Sequence, residues 1–389
     1  MLAPRGRVAV VIYLDNAATT RLDAEALEAM LPWLRERFGN PGSLHRLGAE
    51  ADAAITRARE QVARALSCEA SQVVFTSGGT EANALAITGA VLARRKRGDH
   101  VVTTNLEHPS VREALRLLEE REGIRVCELA VDPERGLDPA AVAAAVTPQT
   151  VLVSVMHLQN ETGQVFPVEA IARAAKQVAR RVLVHVDGVQ ALGKLPAPGP
   201  EVDLYTVSSH KVHGPKGAGA LRIREGLVIA PLVRGGGQER GLRGGTESVP
   251  TLVGFGAAVA KARAERAEFR KRAQQLNARL RAGIAELGGV INSPSDAFPS
   301  LLNASFPGVL AEPLLHALEA REVYVSTAAA CRTRKGKASA VLSALGLPEE
   351  RLTSALRFAM SRETSEAEIE QTLAALREAL AELGHSVAP

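Results

Sequence analysis

Aromatic side chains are scarce: one Trp, three Tyr and eight Phe make up 3% of 389 residues. That excludes a surface of stacked-base platforms of the kind that grips single-stranded nucleic acid. It also leaves the core to be built from Ala, Val, Leu and Ile. Cysteine is sparser still, with Cys68, Cys127 and Cys331 alone and no Cys-x-x-Cys pair. A disulfide framework and a cysteine-rich zinc site are therefore excluded, and the odd, sparse set fits a reducing compartment. No apolar run approaches the roughly 18 residues of a membrane span. The run Val8–Leu14 follows Arg5 and Arg7 but meets Asp15-Asn16, so it reads as a buried strand rather than a leader. Neither charge sign dominates: Lys+Arg is 47 and Asp+Glu 43, a net +4. With 46% hydrophobic and 23% charged residues, the composition excludes disorder. The expectation is a cytoplasmic protein with no membrane partner and no direct nucleic-acid partner.

What is present is an alternation of apolar runs and helical stretches. Strands are expected at Val73–Thr76, His100–Thr104, Val126–Leu129, Val151–Val155, Val182–Val186, Leu204–Ser208 and Ala218–Ile223. Helices are expected at Glu81–Arg97, Ser110–Glu120, Pro139–Ala145 and Val168–Arg180. Several of the strands are continuously apolar, the mark of a parallel-rich sheet covered on both faces. A long charged helix, about Ala257–Leu287, leads to a second unit. There the pattern is strand (Leu302–Phe306), helix (Pro313–Glu319), strand (Val323–Ser326), helix, strand (Ala355–Ser361) and a last helix. That helix opens with a capping-box spelling, Ser365-Glu366-Ala367-Glu368. The fold class is therefore α/β: a large domain, 15–260, with a mostly parallel mixed sheet flanked by helices, and a smaller α+β domain, 261–389 together with 1–14.

Three segments carry chemistry. Thr76-Ser77-Gly78-Gly79-Thr80-Glu81-Ala82-Asn83 lies between a strand and a helix. Its glycines admit close backbone approach, and the helix start offers free N–H groups to a phosphate. Asp187 ends the apolar strand Val182–Val186, at the sheet edge where ligands of open α/β sheets bind. Lys211 follows the strand Leu204–Ser208, beside Ser208 and His210, where neighbours and burial suit a Schiff-base lysine. His210 and His213 have no acidic third ligand beside them, so no metal is expected. Taken together, an anion cradle, a strand-end carboxylate and a strand-end lysine are what pyridoxal 5'-phosphate needs: donors for its phosphate, an amine for its aldehyde and a carboxylate for its ring nitrogen.

In these residues the chain resembles the class V aminotransferases of the fold-type I pyridoxal-phosphate group, and more narrowly the NifS/IscS-type cysteine desulfurases. The resemblance runs from about Tyr13 to Ser361. Besides the segments above it rests on Tyr13–Thr20, Asn40–His45, Glu107-His108-Pro109-Ser110-Val111, Asn160-Glu161-Thr162-Gly163, Gly235–Arg240 with Arg243-Gly244-Gly245-Thr246, Cys331 and Leu356-Arg357-Phe358. It implies that Lys211 holds the cofactor covalently and that Asp187 pairs with its ring nitrogen. Gln190 and Asn160 would lie near its ring oxygen. Gly79, Thr80, Ser208 and His210 would bind its phosphate, with Thr246 reaching over from the neighbouring subunit of a homodimer. His108 would stack on the ring and handle protons. Arg357, with Asn160, would bind the substrate carboxylate, and Cys331 would be the sulfur-accepting nucleophile.

Around Cys331 the sequence supplies a cationic field, Arg332, Arg334, Lys335 and Lys337, which favours thiolate over thiol. The 26 residues from Cys331 to Arg357 resemble the long-loop branch of the family. The implied reaction is removal of sulfur from L-cysteine. Its products are L-alanine and a persulfide on Cys331, for an acceptor protein of iron–sulfur assembly or tRNA thiolation. The alternative is a selenocysteine lyase, or another class V aminotransferase or lyase, on the same site. Cys68 and Cys127 are expected to be structural.

Overall fold

The computed structural model describes residues 11–327 and 339–384. They fall into two compact units by contact: Thr19–Gln159 with Val165–Ala267, and 11–18 with Asn160–Gln164 and the described residues from Glu268 onward. The second begins with the short strand β1 (Ile12–Tyr13).

In the first unit, helices α1 (Ala24–Arg35) and α2 (Arg46–Ala65) come first. Asp23 caps α1, its side chain accepting from the N–H of Glu25 and Ala26. A seven-stranded sheet follows. Its strands are β2 (Val73–Thr76), β3 (His100–Thr104), β4 (Arg125–Leu129), β5 (Thr150–Met156), β6 (Leu183–Asp187), β7 (Leu204–Ser208) and β8 (Gly219–Ile223). The strand order is β2-β8-β7-β6-β5-β3-β4. All neighbours are parallel except at β8, which runs antiparallel to both β2 and β7. The sheet is thus mostly parallel but mixed, as the sequence predicts.

Helices α3 (Gly79–Arg94), α4 (Pro109–Glu122), α5 (Pro139–Ala145) and α6 (Val168–Val178) connect its strands. Six strands are buried along their whole length, β4 at the edge excepted, which is why they read as largely apolar runs. The core on one side joins Val74, Leu85, Ile87, Val101, Leu115 and Leu152.

Helix α7 (Val249–Glu286) contributes residues to both units and starts eight residues earlier than its charge pattern suggests. The second unit holds a four-stranded antiparallel sheet in the order β12-β13-β10-β9, from β9 (Val290–Ile291), β10 (Leu301–Ser305), β12 (Ser326–Thr327) and β13 (Ala355–Ala359). The predicted strand Val323–Ser326 is two strands: β11 (Val323–Tyr324) pairs in parallel with β1, and β12 pairs with β13. Helices α8 (Ala311–Glu319), α9 (Ala340–Ala344), α10 (Glu349–Leu352) and α11 (Glu366–Glu382) complete it, α11 with the expected capping box between Ser365 and Glu368. Leu14, Leu280, Phe306, Phe358 and Leu376 are among its core residues. Among the described residues no helix is long and apolar enough to cross a membrane.

One buried cation ties loops to the sheet. Arg222 on β8 donates through Nη1 to the carbonyls of Pro198 (2.7 Å) and Leu66 (3.3 Å), and through Nη2 to those of Val202 (3.2 Å) and Gly199 (3.3 Å). Its guanidinium lies 5.5 Å from the centre of the Tyr205 ring. Four carbonyls lose their donor if it is removed. Arg222→Met is expected to lower unfolding stability by about 3 kcal/mol, read as a drop in the urea midpoint. An unchanged midpoint would show that water replaces the clamp without cost.

Candidate active site

The site grows from the C-terminal ends of the parallel strands in the first unit. Strand β2 delivers Thr76, whose hydroxyl donates to the Gly78 carbonyl (3.0 Å) across the turn into α3. The turn is cut to fit its neighbours. A Cβ on Gly79 would lie 2.7 Å from Val189, and a Cβ on Gly219 of β8 would lie 2.6 Å from the Gly78 backbone. At Gly78 itself a Cβ would meet nothing, so the turn opens outward. Beside it, at the end of β7, the hydroxyl oxygen of Ser208 is buried with no partner. A buried, unpartnered hydroxyl beside the first turn of α3 fits a phosphate.

Asp187 ends β6 and is 6% exposed. Its Oδ2 accepts from Asn83 Nδ2 (2.8 Å) and its Oδ1 from the Val189 N–H (3.0 Å). The next residue must be glycine, because a Cβ on Gly188 would lie 2.1 Å from the Tyr205 ring. Asn83 Nδ2 also donates to Ser110 Oγ (2.9 Å), and Ser110 approaches His108 Nδ1 through Oγ (2.8 Å) and through its N–H (3.1 Å). His108 is thereby the cap of α4, with Nδ1 an acceptor and the ring proton left to Nε2. The crowding around the ring lowers its pKa; Asp187 opposes the shift and Lys211 adds to it.

Lys211 ends the short turn Ser209–Lys211 after β7. The preceding residue pins that turn. The His210 carbonyl accepts from the Thr20 N–H (2.9 Å) and hydroxyl (3.0 Å), and His210 Nδ1 meets Thr19 Oγ1 at 3.1 Å. Thr20 Oγ1 in turn accepts from the His213 N–H (2.7 Å), where the chain turns through the left-handed region at φ 64. Burial, reinforced by Lys211 and Lys216, pushes the His210 pKa down to about 4. Gln190 is buried in the turn beyond Asp187, and its carbonyl accepts from Lys194 Nζ (3.0 Å). Burial lowers Lys194 to about 7.

Of the predicted residues, Gly79, Thr80, His108, Asp187, Gln190, Ser208, His210 and Lys211 all belong to this unit, on the strand ends and the turns that follow them. Thr246 lies in it too, exposed, just after Gly245. Asn160 and Arg357 belong to the other unit and meet each other there. Arg357, 6% exposed on β13, donates through Nη1 to the Asn160 carbonyl (3.1 Å) and through Nη2 to Asp15 Oδ1 (2.6 Å). Cys331 and its cationic neighbours lie outside the described residues. Cys68 and Cys127 are free thiols, and burial raises Cys68 to about 11, which keeps it protonated.

The sequence reading passed over Asn83 and Ser110 as site residues. Asn83 stands four residues after Gly79, on the same face of α3 as the cradle, and that spacing was the available signal. Glu107 was missed as well. It is fully buried, accepts from Thr104 Oγ1 (2.8 Å) and the Met156 N–H (2.9 Å), and burial pushes it up to about 8.

These donor and acceptor sets fit pyridoxal phosphate: a carboxylate with both oxygens steered by N–H donors, a histidine on the same hydrogen-bond chain, a lysine on a pinned turn and a phosphate-sized cradle. The class-V aminotransferase model matches residues 12–372. Cysteine desulfurase IscS of Anaeromyxobacter sp. (strain Fw109-5) is 42% identical over 94% of this chain and 91% of its own length. A solved NifS-like protein superposes with a TM-score of 0.91 at 37% identity, covering 96% of this chain and all of its own. The structure of SspA in complex with cysteine gives 0.80 at 33% identity, over 90% of this chain and 98% of that one.

Burial also sets a pH signature. It pushes His157 and His185 down to about 4 from an ordinary 6.5, as it does His210. The unfolded chain takes up protons between those values that the folded chain refuses, so this part of the stability is lost as pH falls from 6.5 toward 4. Glu107 acts with the opposite sign, losing its contribution as pH rises from its ordinary 4.5 toward 8. The expected result is that the ring signals of His157, His185 and His210 stay constant in an NMR titration from pH 8 to 5. Midpoints near 6.5 for these three would contradict the burial argument.

Proposed function

The chain belongs to the class-V aminotransferase family and within it to the cysteine desulfurases, and from that membership we propose the roles of its residues. The substrate is L-cysteine, and the products are L-alanine and a persulfide on Cys331. The observation that carries the reading is the continuous chain Asp187–Asn83–Ser110–His108 at the sheet edge that also holds the Lys211 turn. Pyridoxal phosphate, bound there, supplies a protonated ring that accepts the charge left when a proton leaves the substrate Cα.

The protein's own groups do the rest. Gly79, Thr80, Ser208 and His210 would hold the phosphate, Asp187 would keep the ring nitrogen protonated, and family membership assigns Gln190 and Asn160 to the ring oxygen. His210 is neutral at pH 7 and so offers a hydrogen bond rather than a charge. Lys211 would hold the cofactor through its amine, and the same amine is the group placed to move the substrate Cα proton. Arg357 binds the substrate carboxylate; its fork geometry suits that task better than a lysine would. His108, with Nδ1 fixed by Ser110, exchanges the substrate thiol proton at Nε2. The Cys331 thiolate attacks the substrate sulfur. The new S–S bond forms as the substrate C–S bond breaks, and protonation of the carbon fragment gives alanine.

The persulfide passes to an acceptor protein of iron–sulfur assembly or of tRNA thiolation. The working form is a homodimer in which Thr246 reaches the neighbour's phosphate. Large apolar side chains left open on the first unit, Phe38 at 84% and Leu44 at 104% exposure, support a second copy there. The sparse free thiols support a cytoplasmic setting.

With the full-length protein loaded with cofactor, Cys331→Ala is expected to keep the visible cofactor band. Sulfide and alanine release from L-cysteine should fall by more than about 100-fold. Release at the unaltered rate would remove Cys331 from the mechanism.

A further inference from the structure

The phosphate cradle contains an anion of its own. Glu81 stands in the first turn of α3, directly after Gly79 and Thr80. Its Oε2 accepts from the Ser77 N–H (2.7 Å), and its Oε1 from Arg243 Nε (2.9 Å). Both side chains are mostly buried, with 21% and 27% of their surface exposed. Burial on its own would raise the Glu81 pKa, but the bonds from Ser77 and Arg243 outweigh it and hold the carboxyl below its ordinary range. A carboxylate complements the helix dipole when the turn is empty. Once a phosphate dianion is bound at the same helix end, that carboxylate becomes a like charge beside it.

The segment carrying Arg243 is held to this place at a cost. Glu239 and Arg240 both lie in the left-handed region, at φ 46 and 57, where non-glycine residues are strained. Their side chains hold the segment there. Glu239 takes a two-pronged pair from Arg59 (2.7 and 2.6 Å) and accepts from the Phe75 N–H (2.8 Å), and Arg240 donates to the Val73 carbonyl (3.0 Å). Val73 and Phe75 belong to β2, the strand that feeds the cradle. Gly244 donates to the Val233 carbonyl (2.8 Å), closing the segment on the far side of Arg243. The strained segment is thus fastened at β2 and reaches the cradle itself through Arg243.

We propose that Arg243 is a positioning residue for the cofactor phosphate: it neutralises Glu81 and keeps that carboxylate engaged with Ser77, so that the turn presents N–H donors to the phosphate without a bare anion beside it. The inference rests on the reading of Ser77–Glu81 as the phosphate cradle. Arg243 touches no reacting atom in this scheme. Its effect is confined to ligands that carry the phosphate, and it depends on the charge of Glu81.

The test is equilibrium binding to the full-length protein stripped of cofactor, followed by absorbance, with pyridoxal 5'-phosphate and with pyridoxal, which lacks the phosphate. Arg243→Ala is expected to weaken pyridoxal phosphate by about 10-fold or more while leaving pyridoxal unchanged. Adding Glu81→Gln to Arg243→Ala should restore binding to within about 3-fold of the unaltered protein, since the amide still accepts from Ser77 but carries no charge. Glu81→Gln alone, which keeps Arg243 and its segment in place, should bind pyridoxal phosphate at least as tightly as the unaltered protein. The proposal is overturned if Arg243→Ala binds pyridoxal phosphate normally, if both ligands weaken equally, or if Glu81→Gln fails to rescue. Should Arg243→Ala not fold, weaker binding by Glu81→Gln alone overturns it. An unaltered protein that shows no preference for pyridoxal phosphate over pyridoxal would instead sink the cradle reading beneath it.

Discussion

A carboxylate buried at the end of a central strand governs the rest of the site. Asp187 is almost without solvent, so its oxygens need donors, and they receive them from Asn83 and the Val189 N–H. Asn83 can serve only if α3 starts where it does, directly after the glycine turn. Its second hydrogen then fixes Ser110, and Ser110 fixes the tautomer of His108. One electrostatic requirement thus orders the start of α3, the cap of α4 and the tautomer of His108. The same strand end requires Gly188, because the Tyr205 ring fills the space a side chain would take.

The first unit carries the residues that fit the cofactor. The second carries Arg357, held between Asp15 and the carbonyl of Asn160. Arg357 therefore sits in a preformed polar seat. Its Nε is buried with no partner, so the guanidinium keeps donor capacity beyond the two bonds it makes. The segment Asn160–Gln164 belongs with the second unit although the chain on both sides of it belongs to the first.

Much of this was legible in the sequence, for a physical reason. Strands buried on both faces need continuous apolar residues, so β2, β3 and β7 stand at the predicted positions. The strand-end Asp187 and Lys211 were legible because polar residues directly after such runs are conspicuous. Helices α1 and α2 escaped notice. The first contains Pro32, which reads as a helix breaker, and the second buries mainly alanines, which do not stand out from an alanine-rich chain. The split of Val323–Ser326 between two sheets has no local signal, because partner choice depends on residues far away in the chain. Glu107 was illegible as a site residue for a similar reason, whereas Asn83 had its spacing from Gly79 as a signal. The role of Glu107 comes from what folding places opposite it.

The central claim is that Lys211, and no other amine, carries the cofactor. The most direct measurement is borohydride reduction of the full-length protein loaded with pyridoxal phosphate, followed by mass spectrometry of its peptides. A phosphopyridoxyl group on Lys211, and its disappearance in Lys211→Ala, is the predicted result. Lys194 is the informative rival, since burial lowers its pKa to about 7 and it lies in the turn after Asp187. A label on Lys194, or on no lysine at all, would contradict the account.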